Sequence, residues 1–308
     1  MRIPFCGAMV SHLDPVKSVF LTGDLGFMAL EPLRKKLGPR FLNAGVAEQN
    51  MVSVAAGLAK SGLEVWVYTI ASFCYTRPFE QIRNDVCLHR LPVHMVGNGG
   101  GYGYGVMGAS HHALEDYGTL LTLAGMHVYV PAFDEDVDPM VKRMQALGQP
   151  TYLRLGRCER PAGFAPPPYA PWRRLIEGSG PVIVYVGPLA GSHLASWLTL
   201  DPAERPEVWV VSELPLDADS IPGEFLQRIA TGGELWVVEE HVAQGGFGQS
   251  LASFLLRNRL HVSGFEHFFA KGYLSGKSGS QQFYRRESGI DAASLLQFHA
   301  ASIVYHSG

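Results

Sequence analysis

The chain has 308 residues, a formal net charge of −3, 47% hydrophobic residues and only 17% charged ones. That length allows one large or two medium domains with a substantial core, and a charged fraction below the usual quarter implies surface hidden against other subunits. The longest basic run, Arg34-Lys35-Lys36, is no footprint for nucleic acid. No apolar run reaches membrane-spanning length, and no basic start leads into a secretory-type apolar stretch.

In chain order, β-rich runs at 19–22, 65–68, 92–96, 127–130 and 151–155 alternate with helical patterns near 46–60, 73–88, 112–124 and 135–147. This alternation predicts a parallel sheet with helices on both faces. Prolines at 161, 166, 167, 168, 171 and 181 then predict a stiff, extended linker. The pattern restarts with strands at 182–186, 208–211 and 235–238 and helices near 190–199, 222–230, 247–258 and 291–302. The expectation is two α/β domains, both doubly wound. Cys6, Cys74, Cys87 and Cys158 are scattered, with no zinc or redox pair, which points to a reducing, cytoplasmic compartment.

The segment Phe41-Leu-Asn-Ala-Gly-Val-Ala-Glu-Gln-Asn-Met51 places one acid, Glu48, where a strand end turns into a helix that is apolar over most of its surface. Such a helix is expected inside, and glutamate is almost never buried without a partner. A buried carboxyl favours its protonated form and can then donate to a ligand nitrogen. A helix-start acid facing the positive end of the helix dipole explains the same spacing equally well.

Thr69-Ile-Ala-Ser-Phe73 lies at the carboxyl end of an apolar strand, where α/β sheets collect ligands. Phe73 there suits either stacking on a flat ring or simple core packing. In Gly97–His112, seven glycines in twelve residues follow a strand, permitting close backbone approach to a ligand or a mobile loop. Gly103, Gly105 and Gly108 formally fit G-x-G-x-x-G, but no acid follows in a second strand as a dinucleotide site requires. His111 and His112 are expected to open the next helix. As neighbours they make a poor metal pair, and His111 is either an acid–base group or a helix-start polar residue. Glu115 and Asp116 are expected in the first helical turns, favouring the dipole. Glu239-Glu-His241 reads as a tight, glycine-rich connection with charges at a subunit interface rather than a reactive cluster.

Taken together, Gly45-Val-Ala-Glu-Gln-Asn-Met51, Phe79-Glu-Gln-Ile-Arg-Asn84, Gly108-Ala-Ser-His-His-Ala-Leu-Glu-Asp116, Tyr152-Leu-Arg-Leu-Gly-Arg157 and Val237–Gly248 resemble the C-terminal half of a transketolase, most nearly the separate C-terminal subunit of split transketolases. The resemblance implies a pyrimidine-binding domain at 1–160, a proline-rich linker at 161–180 and the family's C-terminal domain at 181–308. It implies thiamine diphosphate as cofactor, with Mg²⁺ held mainly by a partner. Glu48 matches the glutamate that hydrogen-bonds the aminopyrimidine and so activates the thiazolium carbon. Phe73 matches the residue that stacks on that ring, and Ile70 replaces a second aromatic of the same pocket. Asp24 matches an acid near the thiazolium, His111 the histidine that contacts substrate, and Arg157 a sugar-phosphate arginine.

Two departures bear on substrate. Where transketolases place a His and an Asp ahead of the histidine at position 111, this chain has Gly99, twelve residues before, and Met107, four before. Losing both polar contacts argues against the ordinary pentose phosphates. The family's G-D-G metal motif is also missing, since Gly23-Asp24 is followed by Leu25. The implied solution is a partner polypeptide carrying the diphosphate-binding domain, in a heterotetramer with self-association of this chain. The expected activity is transfer of a two-carbon ketol or acyl unit from a ketose or 2-oxoacid to an aldehyde, in a specialised sugar pathway. The competing expectations are a 2-oxoacid dehydrogenase β-like chain, a deoxyxylulose-phosphate-synthase-like chain and a non-catalytic partner.

Overall fold

Alternate side chains along each strand point to opposite sheet faces, and here both faces are apolar, so each sheet must be covered by helices on both sides. The computed structural model describes residues 1–306. The first unit runs α1 (Arg2–His12), β1 (Ser18–Thr22), α2 (Glu31–Leu37), β2 (Phe41–Asn43), α3 (Glu48–Lys60), β3 (Glu64–Ile70), α4 (Ala71–Thr76), α5 (Phe79–Gln81), β4 (Val93–Asn98), α6 (Asp116–Leu120), β5 (His127–Tyr129), α7 (Val137–Leu147) and β6 (Thr151–Leu155). The second runs β7 (Trp172–Ile176), β8 (Val182–Val186), α8 (Leu189–Leu198), β9 (Glu207–Val211), β10 (Glu213–Leu214), α9 (Gly223–Ala230), β11 (Glu234–Val238), α10 (Phe247–Arg257), β12 (Gly264–Phe268), α11 (Gln281–Ser288) and α12 (Ala292–His306).

The seven-stranded sheet has the order β10-β5-β6-β4-β3-β1-β2, and the five-stranded sheet β12-β11-β8-β9-β7. Every pairing between these strands is parallel except β10 with β5 and β7 with β9. The architecture is α/β with two mostly parallel, doubly wound sheets, as the alternation predicts. Phe20, Trp66, Tyr68, Val96 and Leu153 face α1, α2 and α7, while Val19, Val65, Val67 and Met95 face α3 to α6. The second apolar layer continues without a break into Val184, Trp209 and Val237 of the other sheet, so one core joins both units.

The structure departs from the sequence-based expectations at definite places. The segment expected to be only a linker contains β7, which adds antiparallel to the second sheet. Buried Arg173 anchors it, donating to Asp136 Oδ1 and Oδ2 at 2.8 and 2.6 Å. In exchange, β10 from the second unit closes the edge of the first sheet. The helix expected over 73–88 breaks at Pro78, which has no N–H to donate, and resumes as α5 and a π-helical turn at Ile82–Cys87. The helix expected over 112–124 is only α6, because Ala113 instead pairs its backbone with Gly101. His111 and His112 therefore precede the helix in a turn. Asp116 does stand in the first turn of α6, as expected, with Glu115 at the N-cap. It is fully buried, accepts from Tyr152 Oη at 2.9 Å, and lies 2.9 Å from Arg154 Nε.

Two buried histidines give the fold a defined acid response. His94, with Nδ1 2.8 Å from Thr151 Oγ1, and His193, beside Tyr185 Oη, are each pushed down to about 3 by burial. Both native values lie below that of an unfolded histidine, about 6.5, so the unfolded chain takes up protons first. Their stabilising contribution is whole above pH 6.5 and is lost as pH falls from there toward 3, at about 1.4 kcal/mol per pH unit for each proton. Replacing His94 with Gln should reduce the slope of unfolding free energy against pH, between pH 6 and 5, by close to one proton. Urea titrations at stepped pH measure it, and an unchanged slope would show that His94 is not held neutral.

Candidate active site

The carboxyl ends of β1, β2, β3 and β4 meet at one edge of the first sheet, the place where open α/β sheets bind ligands. Glu48 stands there as the first residue of α3 and is only 3% exposed. Its Oε1 accepts from Thr69 Oγ1 at 3.2 Å, and its Oε2 accepts from Arg77 Nη1 at 2.8 Å. Gly23 lies behind this pair, since a β-carbon there would come within 3.0 Å of Thr69 Oγ1 and 3.5 Å of Glu48 Oε1. The α3 helix buries Met51, Val52, Ala55 and Ala56, but Val54 on its outer face is 41% exposed and Val46 just before it 72% exposed. The helix is thus amphipathic within this chain rather than interior on all sides, because among the described residues no element covers the outer face.

Phe73 sits half-buried on α4, with the Arg77 guanidinium 3.6 Å from its ring centroid. The His111 ring lies 5.2 Å from Phe73 and 5.7 Å from Tyr104. Ser110 Oγ is 2.9 Å from His111 Nδ1, which fixes the ring. Arg77 thus joins Glu48 to Phe73, and Phe73 meets His111, in one corner. Ile70 ends β3 three residues before Phe73 and pairs in register with Asn98.

Asp24 is placed at the same sheet edge but exposed, in a left-handed conformation (φ 55°) clamped to β2. Its carboxylate accepts from Asn43 Nδ2 at 2.8 Å, and its N–H donates to Asn43 Oδ1 at 3.1 Å. Arg157 is 77% exposed beside Glu159 and lines a cleft with Arg2, Asn98 and Tyr104, the last of which also borders His111. Met107 is exposed in a short turn. Arg77 and Tyr104, which sequence reasoning did not single out, complete the corner together with Gly23 and with Thr69 of the candidate strand end. The one available signal for Arg77 was its spacing from Phe73, since positions four apart on a helix are neighbours.

The glycine run has a packing reason. Arg154 fills the space where a Gly100 β-carbon would be, 2.3 Å from its Nε, and Glu240 does the same at Gly101. Glu240 accepts from Tyr102 N, Gln281 Nε2 and Arg285 Nε at 2.6, 2.9 and 2.6 Å. Glu239 accepts from Phe247 N and Gly248 N and meets His267 at 2.6 Å. These acids are buried and consumed by internal partners, so they are not the subunit-interface charges that the sequence suggests. Among the described residues no group of three or more His, Cys, Asp or Glu side chains is placed to hold a metal ion, and no helix is long and apolar enough to cross a membrane.

Residues 17–161 match the family described as transketolase, pyrimidine binding domain. That stretch is a transketolase pyrimidine-binding domain. In its fold the chain follows a solved split gene transketolase, an inactive β4 tetramer, with TM-score 0.81, 29% identity and 98% of each chain covered. It is 29% identical to one of the apulose-4-phosphate transketolase subunits of Phocaeicola vulgatus, over 78% of both chains. It is also 32% identical to 1-deoxy-D-xylulose-5-phosphate synthase 2 of Geobacter sulfurreducens, over 83% of this chain but only 41% of that longer protein. The transketolase of Leishmania mexicana shares the fold, with TM-score 0.75 and 18% identity over 97% of this chain and 45% of that one.

Gly99 is closely packed. It has φ 76°, and a β-carbon there would lie 2.3 Å from the Tyr104 ring, whose hydroxyl accepts from Asn98 Nδ2 at 2.9 Å. Installing a side chain with Gly99→His should destabilise by roughly 2–4 kcal/mol, combining a left-handed β-carbon with overpacking. Adding Tyr104→Ala should recover more than about 1 kcal/mol of that loss, since the two sites are in contact. A double-mutant cycle in guanidinium chloride measures this, and strict additivity would refute the steric account.

Proposed function

We propose that this chain is the pyrimidine-binding subunit of a thiamine diphosphate-dependent transferase, which moves a two-carbon unit from a ketose or 2-oxoacid to an aldehyde and works only with a partner chain that binds the diphosphate. The observation that carries this is Glu48, a carboxyl kept from water at a ligand-binding sheet edge, beside an aromatic face. The corner fits an aminopyrimidine, because a flat N–H-bearing group already lies between Phe73 and Glu48 in the form of the Arg77 guanidinium.

When bound, thiamine diphosphate supplies the carbanion chemistry. In this reading Glu48 hydrogen-bonds a ring nitrogen and handles its proton, with Thr69 holding Oε1 in place. Phe73 stacks on the ring, and Ile70 adds to the apolar wall. His111, held at Nδ1 by Ser110, offers its other nitrogen to substrate as acid–base or hydrogen-bonding group. Asp24 lines the approach to the thiazolium end, Met107 flanks the substrate side, and Arg157 meets a phosphate in the cleft it lines. Mg²⁺ and the diphosphate fall to the partner, since the G-D-G motif is missing here.

Relatives support this division of labour, because two proteins that this chain matches over most of their length are each named as a single subunit of an apulose-4-phosphate transketolase. A heterotetramer with self-association gains support from Phe27, Met28 and Val46, large apolar side chains that stand exposed on loops rimming the site. Gly99 and Met107, standing where transketolases place polar sugar contacts, suit a specialised or branched sugar better than an ordinary pentose phosphate. The second reading is an acyl donor such as a 2-oxoacid, supported by the similarity to deoxyxylulose-phosphate synthases.

In a complex reconstituted with the diphosphate-binding chain, Glu48→Gln should lower two-carbon transfer by about 10²–10⁴-fold, the usual worth of a positioned proton-transfer group. Coupled aldehyde-acceptor assays measure it. Full turnover in the variant would leave this chain as a non-catalytic partner.

A further inference from the structure

The position of Arg77 is unusual for a residue that merely closes a helix. Its planar guanidinium lies 3.6 Å from the Phe73 ring centroid and donates to Glu48 at 2.8 Å. A stacked face plus an edge of N–H donors aimed at that carboxylate is the set of contacts proposed above for the cofactor's aminopyrimidine. Both groups cannot occupy one slot. We infer that Arg77 is a resident stand-in for the aminopyrimidine, satisfying Glu48 and covering Phe73 until the cofactor evicts it. This inference rests on the cofactor assignment made above.

The physics favours such a device. Without a partner, a carboxylate buried as deeply as Glu48 is costly. Thr69 donates one hydrogen bond, which leaves Oε2 dependent on Arg77. Arginine fits the task because its fork is flat, stacks on aromatic faces and binds carboxylates. It also suits eviction. The Arg77 side chain remains 39% exposed, and its backbone sits at the break between α4 and Pro78, so the head group can swing into water without unmaking a core. The same residue that keeps Glu48 and Phe73 ordered in the empty subunit therefore competes with cofactor for them.

The competition predicts effects of opposite sign. Arg77→Ala should lower the melting temperature of the chain alone, because Glu48 loses its cation. In the reconstituted complex the same variant should bind thiamine diphosphate about three- to thirtyfold more tightly, the range expected when a half-exposed ion pair and a cation–π contact no longer have to be broken. Arg77→Lys, which keeps the charge but not the flat face, should fall between wild type and Ala. Calorimetric titration gives the affinities and thermal melts give the stabilities. A purely structural Arg77 would lower both quantities, and a cofactor-holding Arg77 would weaken binding, so unchanged or weaker affinity in the Ala variant overturns the inference. Failure of the wild-type complex to bind the cofactor at all would instead remove the functional reading on which it rests.

Discussion

Glu48 is held almost out of water at the lip of the first sheet, and the surrounding structure is arranged to make that tolerable. Removing a carboxylate from water is unfavourable unless donors replace the lost solvent. Thr69 arrives on the neighbouring strand β3, Arg77 from the end of α4, and Gly23 leaves the gap that lets Thr69 and Glu48 approach. These groups lie far apart along the chain and converge only because β1 and β3 are adjacent and parallel. Sheet topology thus decides the electrostatics of a single side chain.

A second set of buried charges holds the opposite wall. Arg154 on β6 donates to Ala113 O and Glu240 O, bridging the two units, while Glu240 grips Tyr102 and Arg285. This network sets the path of the glycine run and so the placement of His111. Losing one partner of such a set strands an unpaired charge and is strongly unfavourable. The glycines serve close packing against these groups, which is why the loop reads as a ligand cradle by composition yet has an internal cause.

Alternation of apolar runs made the two-sheet plan legible, because strand and helix periods differ and both faces of each sheet are buried. The pieces that escaped were those whose cause is non-local. β2 has three residues and β10 two, too short to show any period. β7 lies in a proline-rich stretch and is defined by its pairing with β9 and by the Arg173–Asp136 ion pair. The shortening of the helix after His112 follows from the Gly101–Ala113 bridge, a contact that no window of sequence displays. In the site, Glu48 and Phe73 were legible as an acid in an apolar helix and an aromatic at a strand end. Arg77 was not, since its importance lies in where its head group rests rather than in its neighbours along the chain.

The central claim is that Glu48 acts on the cofactor's pyrimidine and thereby on the distant thiazolium carbon. The most direct test is the rate at which the C2 proton of thiamine diphosphate exchanges with D₂O in the reconstituted complex, followed by acid quench and proton NMR. The account predicts exchange far faster than in free cofactor, falling back toward the free rate with Glu48→Ala under conditions where the cofactor is still bound. Undiminished exchange in that variant would contradict it.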